Sequence, residues 1–202
     1  MIYDRFIYIT PPRAEKAIPS RLLFFYEQRG FICQIKKNGT NSVIFVSPDK
    51  EVFAYNRHGE RHKQWHFTEK TNRIFRNLPG RGWYVINAEL IHAKVKGMRD
   101  INYIHDILVE DGVYLNDETY AQRYARLARL FLNDNSTKMV EGYWILDDHT
   151  WLARNFRSDF KKIYDSLTSE EDEGLVLKDI CGKMNSKGWT VKCRVSHKNY
   201  SF

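Results

Sequence analysis

The stretch "FICQIKKNGTNSVIF" occupies positions 31–45. Phe31, Cys33 and Ile35 fall on one face of an alternating run, and Ile32, Gln34 and Lys36 on the other. That spacing predicts a half-buried strand over Phe31–Lys37, followed by a glycine turn and a second apolar run. A lysine pair at the end of such a strand has two readings. It is a solvated edge charge, or one of the two amines is chemically used. Lysine attacks an electrophile only as the neutral amine. With an ordinary pKa near 10.4, only about one lysine in a thousand is neutral at physiological pH. A shift of two units takes about 2.7 kcal/mol, from nearby positive charge or from desolvation. A nucleophilic lysine here should therefore share its site with other cations. Gly39 fits such a site, because a residue without Cβ lets the backbone approach a ligand closely.

Working outward, Ser20 reads as an N-cap and Gly30 as the stop of a short helix between them. "SVIFVS" and "EVFAYN" flank "PDK" as a hairpin. Trp83–Val95 and Ile101–Val109 read as two further strands, with "EDG" as a turn after the second. The period then changes. Tyr120, Tyr124, Leu127 and Phe131 share one helix face, and Phe156, Phe160, Ile163 and Leu167 share another. The opposite face of that second helix carries Arg154, Arg157, Lys161 and Lys162. "SEEDEG" is an acidic loop, and "GLVLK" and "GWTVKCRV" close the chain as strands. The pattern is α+β, with antiparallel sheets and a few helices. No repeat or low-complexity tract interrupts it.

The 202 residues suit one domain, and 43% apolar with 14% aromatic residues supply a real core. A formal net charge of +7 is compatible with a polyanionic partner. Cys33, Cys181 and Cys193 make an odd count without a CxxC pair, which argues against a disulfide framework or a zinc site. No signal peptide is evident and no apolar run reaches membrane-span length, so a cytoplasmic protein without a membrane partner is expected.

"KKNGTN" resembles the nucleotidyl-accepting motif of covalent nucleotidyltransferases, the superfamily of ATP-dependent DNA ligases, RNA ligases and mRNA capping enzymes. Their core is Lys-x-Asp-Gly, and the nick-sealing RNA ligase 2 branch carries Lys-x-His-Gly-Thr-Asn. Further elements follow in the family's order. "NRHGE" at 56–60 resembles the Arg-x-Gly element, "NAELI" the carboxylate strand and "YIHDILV" the aromatic strand. "EGLVLK" at 173–178 matches the fourth motif, and "WTVKCR" resembles the last. The resemblance spans roughly Phe31 to Arg194.

What the resemblance implies is specific. It implies an adenylation domain over residues 1–202, ATP-grasp-like, with no OB-fold or helical domain after Arg194. Lys36 would be the nucleophile, and Lys37 would point to the opposite strand face. Lys192 and Arg194, one residue apart on a strand, would share a face and hold phosphates. Gln34, Asn41, Arg57, Glu89, His105 and Lys178 would bind the nucleotide, with Arg57 and Glu89 at the ribose, and Glu173 would hold Mg²⁺, with Mn²⁺ as a substitute. His105 stands where the family has a ring stacked on adenine. Tyr103, on the same face, is the alternative, and Asp106 reads as structural. The implied activity joins 3′-hydroxyl and 5′-phosphate ends through lysyl-AMP, with RNA or mixed nicks slightly favoured over DNA. A DNA ligase, a non-catalytic nucleic-acid-binding relative and, least, a capping guanylyltransferase stay open. Implied partners are nicked or splinted duplex and a clamp protein, with the chain a monomer. Arg154, Arg157, Lys161, Lys162 and Lys198 are candidate phosphate contacts.

Replacing His105 by Phe restores the family's ring, so ATP use should be preserved or tightened. A nucleotide titration checks this. A folded variant that loses ATP binding overturns the stacking role.

Overall fold

The computed structural model describes residues 1–62, 65–91, 100–132, 137–167 and 172–195. The expected strand residues 92–95, part of the acidic loop and Lys198 lie outside these. In chain order the elements are β1 (Lys16–Ala17), α1 (Leu23–Gln28), β2 (Phe31–Lys37), β3 (Thr40–Val46), β4 (Val52–Tyr55) and α2 (Glu69–Arg76). There follow β5 (Tyr84–Ile91), β6 (Ile101–Glu110), β7 (Val113–Tyr114), α3 (Tyr120–Phe131), β8 (Lys138–Val140) and β9 (Tyr143–Asp147). The last are β10 (Thr150–Ala153), α4 (Phe160–Ser166), β11 (Asp172–Asp179) and β12 (Thr190–Arg194).

Two sheets form. The smaller runs β1-β12-β11-β2, and the larger β4-β3-β5-β6-β10-β9-β8 with β7 beside β6. Two pairings are parallel, β1 with β12 and β10 with β6, and the others are antiparallel. α1 and α4 cover one face of the small sheet, where Leu23 and Phe160 pack with Cys33, Ile35, Leu175, Leu177 and Cys193. α3 packs under β6, where Leu127 and Phe131 join Ile86, Ile104 and Ile107. A capping box starts α3: Thr119 accepts from the Gln122 amide, and the Gln122 side chain accepts from the Thr119 amide at 2.8 Å.

Three local expectations change. β2 is covered on both faces, not half-buried, because its Gln34 side faces the second sheet rather than water. α4 starts at Phe160, a turn later than the periodicity indicated: Phe156 instead forms an isolated bridge with Cys33, so Arg154 and Arg157 precede the helix. The antiparallel run β8–β9–β10 and the helix α2 were not anticipated.

An arm leads into the small sheet from the large one. The Tyr3 amide donates to the Gly112 carbonyl beside β7, and the Glu15 amide donates to Thr190 of β12. Between these anchors, Pro11–Ala14 pass along the gap between the sheets.

One buried ion pair joins α3 to β6. Arg123, fully buried on α3, donates through Nε and Nη2 to the two carboxylate oxygens of Asp106 at 2.9 and 3.0 Å. Its Nη1 donates to the Glu118 carbonyl at 2.8 Å, and its guanidinium lies 5.1 Å from the Trp189 ring. Removing one partner strands a charge in the core, which costs about 3–5 kcal/mol. Asp106→Ala should therefore lower the urea midpoint by that equivalent. A change below about 1 kcal/mol overturns the role.

Candidate active site

The cleft between the sheets encloses a cavity of about 660 Å³. The β-register explains its lining. Directly paired residues share a sheet face, and β2, β11 and β12 stack three such rows. Lys36 stands opposite Gly174, which stands opposite Arg194. Next comes Gln34–Val176–Lys192, then Ile32–Lys178–Thr190. The first row is thus cationic, the middle row sets the Gln34 amide and Lys192 on either side of Val176, and the last row carries the buried Lys178. The facing sheet contributes the row Asn41–Glu89–Tyr103 and, two residues along β6, His105. Arg57 reaches the rim from the loop after β4. The ten residues expected at the nucleotide and metal therefore line one cavity, whereas the candidate phosphate contacts Arg154, Arg157, Lys161 and Lys162 do not.

A bulge shapes the Lys36 end. The β2–β11 register shifts between Asp172 and Gly174, and Glu173 occupies the shift. Gly174 has φ +134°, and a Cβ there would stand 2.0 Å from the Cys193 carbonyl oxygen. Only glycine fits. Glu173 consequently contacts the Lys36 Nζ directly and lies 3.8 Å from the Arg194 guanidinium. Lys37, on the other face, is not solvated. It is 4% exposed, donates to Asp172 at 2.7 Å, and lies 5.4 Å from the Tyr143 ring centre. Gly39 packs closely against protein, because a Cβ there would meet the Leu90 carbonyl at 2.5 Å and Glu89 Cγ at 2.8 Å. It presses the β2–β3 turn onto β5.

At the other end, Lys178 donates to the His105 carbonyl at 3.0 Å and lies 4.3 Å from the Tyr120 ring centre. Burial lowers its pKa to about 7, against the pull of Asp106, which raises it, and with a further push down from Arg123. Burial, followed by Lys178, pushes the His105 imidazole down to about 3, so the ring is neutral at physiological pH. The His105 ring is partly exposed to the cleft. Tyr103 is 2% exposed and spends its hydroxyl on the Gly142 carbonyl at 3.4 Å. Burial lowers the Lys192 pKa, with Arg194 and Lys36 adding to it. The Asn41 amide donates to Asn87 at 2.8 Å, while its Oδ1 is buried without a hydrogen bond.

Among the described residues no cluster of three His, Cys, Asp or Glu side chains could hold a metal. A cage made by protein alone does not fit. A Mg²⁺ taking one carboxylate and the oxygens of a bound phosphate does fit, and that is how Mg²⁺ is commonly held. Glu173 is the carboxylate so placed.

Sequence reasoning missed Arg13, which the arm brings to the rim, where it donates to the Arg57 carbonyl at 3.5 Å. Only the preceding Pro11-Pro12 signalled a stiff segment there. It also missed Asn155, whose Oδ1 accepts from Gln34 at 2.9 Å and from the Tyr120 hydroxyl at 3.1 Å.

No family model and no curated protein matches the chain. Solved structures do. A ligase described as Pmar-Lig_PreS3 superposes with a TM-score of 0.61 at 14% identity, over 94% of this chain and 47% of its own. A mycobacterial DNA ligase D, complexed with ATP and MES, gives 0.53 at 13% identity, over 81% and 54%. A Lig E DNA ligase, described as binding DNA with a minimal scaffold, gives 0.57 at 12%, over 94% and 70%. The chain has the α+β fold of the nucleotidyltransferase domain of ATP-dependent ligases. It spans about half the length of the first two. The last two are described as DNA ligases. No helix among the described residues is long and apolar enough to cross a membrane.

Lys178 gives the site a pH signature. Its folded pKa, near 7, lies below the unfolded value of 10.5, so between these values the unfolded chain binds more protons and stability rises with pH. Lys178→Met lacks this term. From pH 7 to 10.5 the wild type should gain stability relative to the variant in paired denaturation curves. A constant difference overturns it.

Proposed function

We propose that this chain is an ATP-dependent polynucleotide ligase, or the adenylation part of one, that works through a lysyl-AMP intermediate. The observation that carries the proposal is the convergence of Lys36, Lys192, Arg194 and Glu173 in one cleft with Gln34, His105 and Lys178. A nucleotide laid along these rows puts its base by Gln34 and His105 and its phosphates by Lys36. Arg57, Glu89 and the Asn41 acceptor border the sugar between them. ATP bound to the mycobacterial ligase D supports the choice of nucleotide.

The Lys36 amine attacks the α-phosphorus, a P–N bond forms and pyrophosphate leaves. Lys36 must first part from Glu173 and lose its proton. Lys192 and Arg194 offset the charge that develops on the phosphate oxygens. A magnesium ion held by Glu173 supplies further charge neutralisation there. AMP then passes to a 5′-phosphate end, and the 3′-hydroxyl attacks that phosphate and displaces AMP. Nicked or splinted duplex is the partner class, with Arg13, Arg57 and Arg194 as exposed cations at the rim. A preference for RNA-containing nicks rests on the Thr40-Asn41 resemblance. The DNA ligase neighbours favour the second reading, a DNA ligase proper. A clamp partner, a monomeric state and a cytoplasmic location belong to the same proposal.

The test is an intact-mass measurement after mixing protein with Mg²⁺ and either ATP or GTP, without nucleic acid. One added AMP is expected, absent in Lys36→Ala. Lys37→Ala should keep the adduct in its folded fraction but lower the unfolding midpoint, because it strands Asp172. A GMP adduct would point to capping chemistry. A folded protein with no adduct that still binds nicked duplex would be a binding module.

A further inference from the structure

Gln34 is the polar side chain at the base end of the cleft whose orientation decides what it can read. It is 2% exposed, so its amide is not averaged by water. Its Nε2 donates to Asn155 Oδ1 at 2.9 Å. Asn155 follows β10 on the larger sheet and is not part of the cavity wall. The nitrogen end of the Gln34 amide is therefore turned away from the cavity, and the carbonyl end is the part that faces it. The same Oδ1 takes a second hydrogen bond from the Tyr120 hydroxyl at 3.1 Å. One carbonyl oxygen has two lone pairs, and here both have donors. Tyr120 is itself fixed: it is fully buried at the start of α3, tilted against Trp189 at 5.9 Å. The alternative direction of the chain of bonds would need Tyr120 to spend its proton on the His105 carbonyl. That contact is longer, 3.4 Å, and Lys178 already donates to the same oxygen at 3.0 Å.

We infer that Asn155 is a positioning residue that sets the purine choice of the cleft, by holding the Gln34 amide with its carbonyl toward the base. This rests on the nucleotide-binding reading of the cleft. A carbonyl accepts from the 6-amino group of adenine and opposes the 6-oxo group of guanine, leaving two acceptors face to face. Without Asn155 the Gln34 amide turns freely and offers either end. The nucleotide specificity then belongs to a chain of three residues, Tyr120, Asn155 and Gln34, of which only the last meets the ligand.

The experiment measures equilibrium binding of ATP and of GTP, with Mg²⁺, to the wild type, Asn155→Leu, Asn155→Ala and Asn155→Asp, each checked for folding by its thermal transition. The wild type should prefer ATP. In the Leu and Ala variants the ATP-to-GTP ratio should fall by about tenfold, the value of one lost hydrogen-bond discrimination. Asn155→Asp keeps an acceptor oxygen and no donor, so it should retain the wild-type ratio. A merely structural role would weaken both nucleotides together and leave the ratio unchanged. An unchanged ratio in folded Leu or Ala variants overturns the inference, as does a loss of preference in Asn155→Asp, which would mean that Asn155 presents its nitrogen. Binding is read without chemistry. A wild type that prefers ATP but forms no lysyl adduct sinks the ligase reading and leaves the Asn155 inference to the binding ratios. A wild type that binds neither nucleotide sinks both.

Discussion

The pairing of β2 with β11 fixes which of two adjacent lysines enters the cleft, and most of the site follows from it. Lys36 and Lys37 differ in nothing that an isolated strand could sense. Their neighbours on β11 differ. Asp172 binds Lys37 on the face that packs against Tyr143, and Glu173 meets Lys36 on the face that lines the cleft. A slip of one residue would exchange the faces of every side chain on β2 and place Cys33 and Ile35 in the cleft. The buried Lys37–Asp172 pair opposes that slip. The bulge at Glu173 depends in turn on Gly174, because no other residue fits so close to Cys193.

Register on the small sheet orders the chemistry but does not close the cleft. That is the work of the second sheet and of the contacts that hold it. Gly39 draws the β2–β3 turn against β5 and so sets the distance between Lys36 and the Asn41–Glu89 row. Arg123 holds α3 against β6 through Asp106 and presses on Trp189, so a charged pair in the core supports the strand that carries His105. The N-terminal arm ties the sheets at the mouth and delivers Arg13 there. Each link is short-range packing, and together they set one side chain opposite another across the gap.

How much of this was legible follows from what each signal depends on. The motif residues were legible because their spacing survives as linear sequence, and the strands that carry them are long and apolar. The covered polar face of β2 was not, because alternation reports two faces and is silent on what the polar one meets. Phe156 fell on a helical period by coincidence: it is the bridge partner of Cys33, a contact 123 positions away that no local pattern encodes. In "MVEGYWILDDHTWLAR" the aromatic and acidic residues alternate poorly, and of the three short strands there only β10 pairs with β6, while β9 and β8 are added outward from it. Asp106 reads as structural from its place on the strand, but its partner Arg123 carries no sequence signal until the fold buries the two together. Asn155 carries no signal at all, since its importance lies only in whose amide it touches.

The cleft balances charge rather than accumulating it. A triphosphate needs cations, and a lysine nucleophile needs neighbours that favour its neutral form, so a site of bare cations would meet both demands at the cost of mutual repulsion. Glu173 resolves that conflict at the position of the bulge. One carboxylate touches Lys36 and stands within 3.8 Å of Arg194, so it screens the cations from each other. The same oxygens are those a phosphate-bound Mg²⁺ would take, and they cannot serve both partners at full strength. On the proposed function, Glu173 would have to part from Lys36 before the amine could react, and that contact exists only because the bulge sets Glu173 beside Lys36 rather than a residue further along β11.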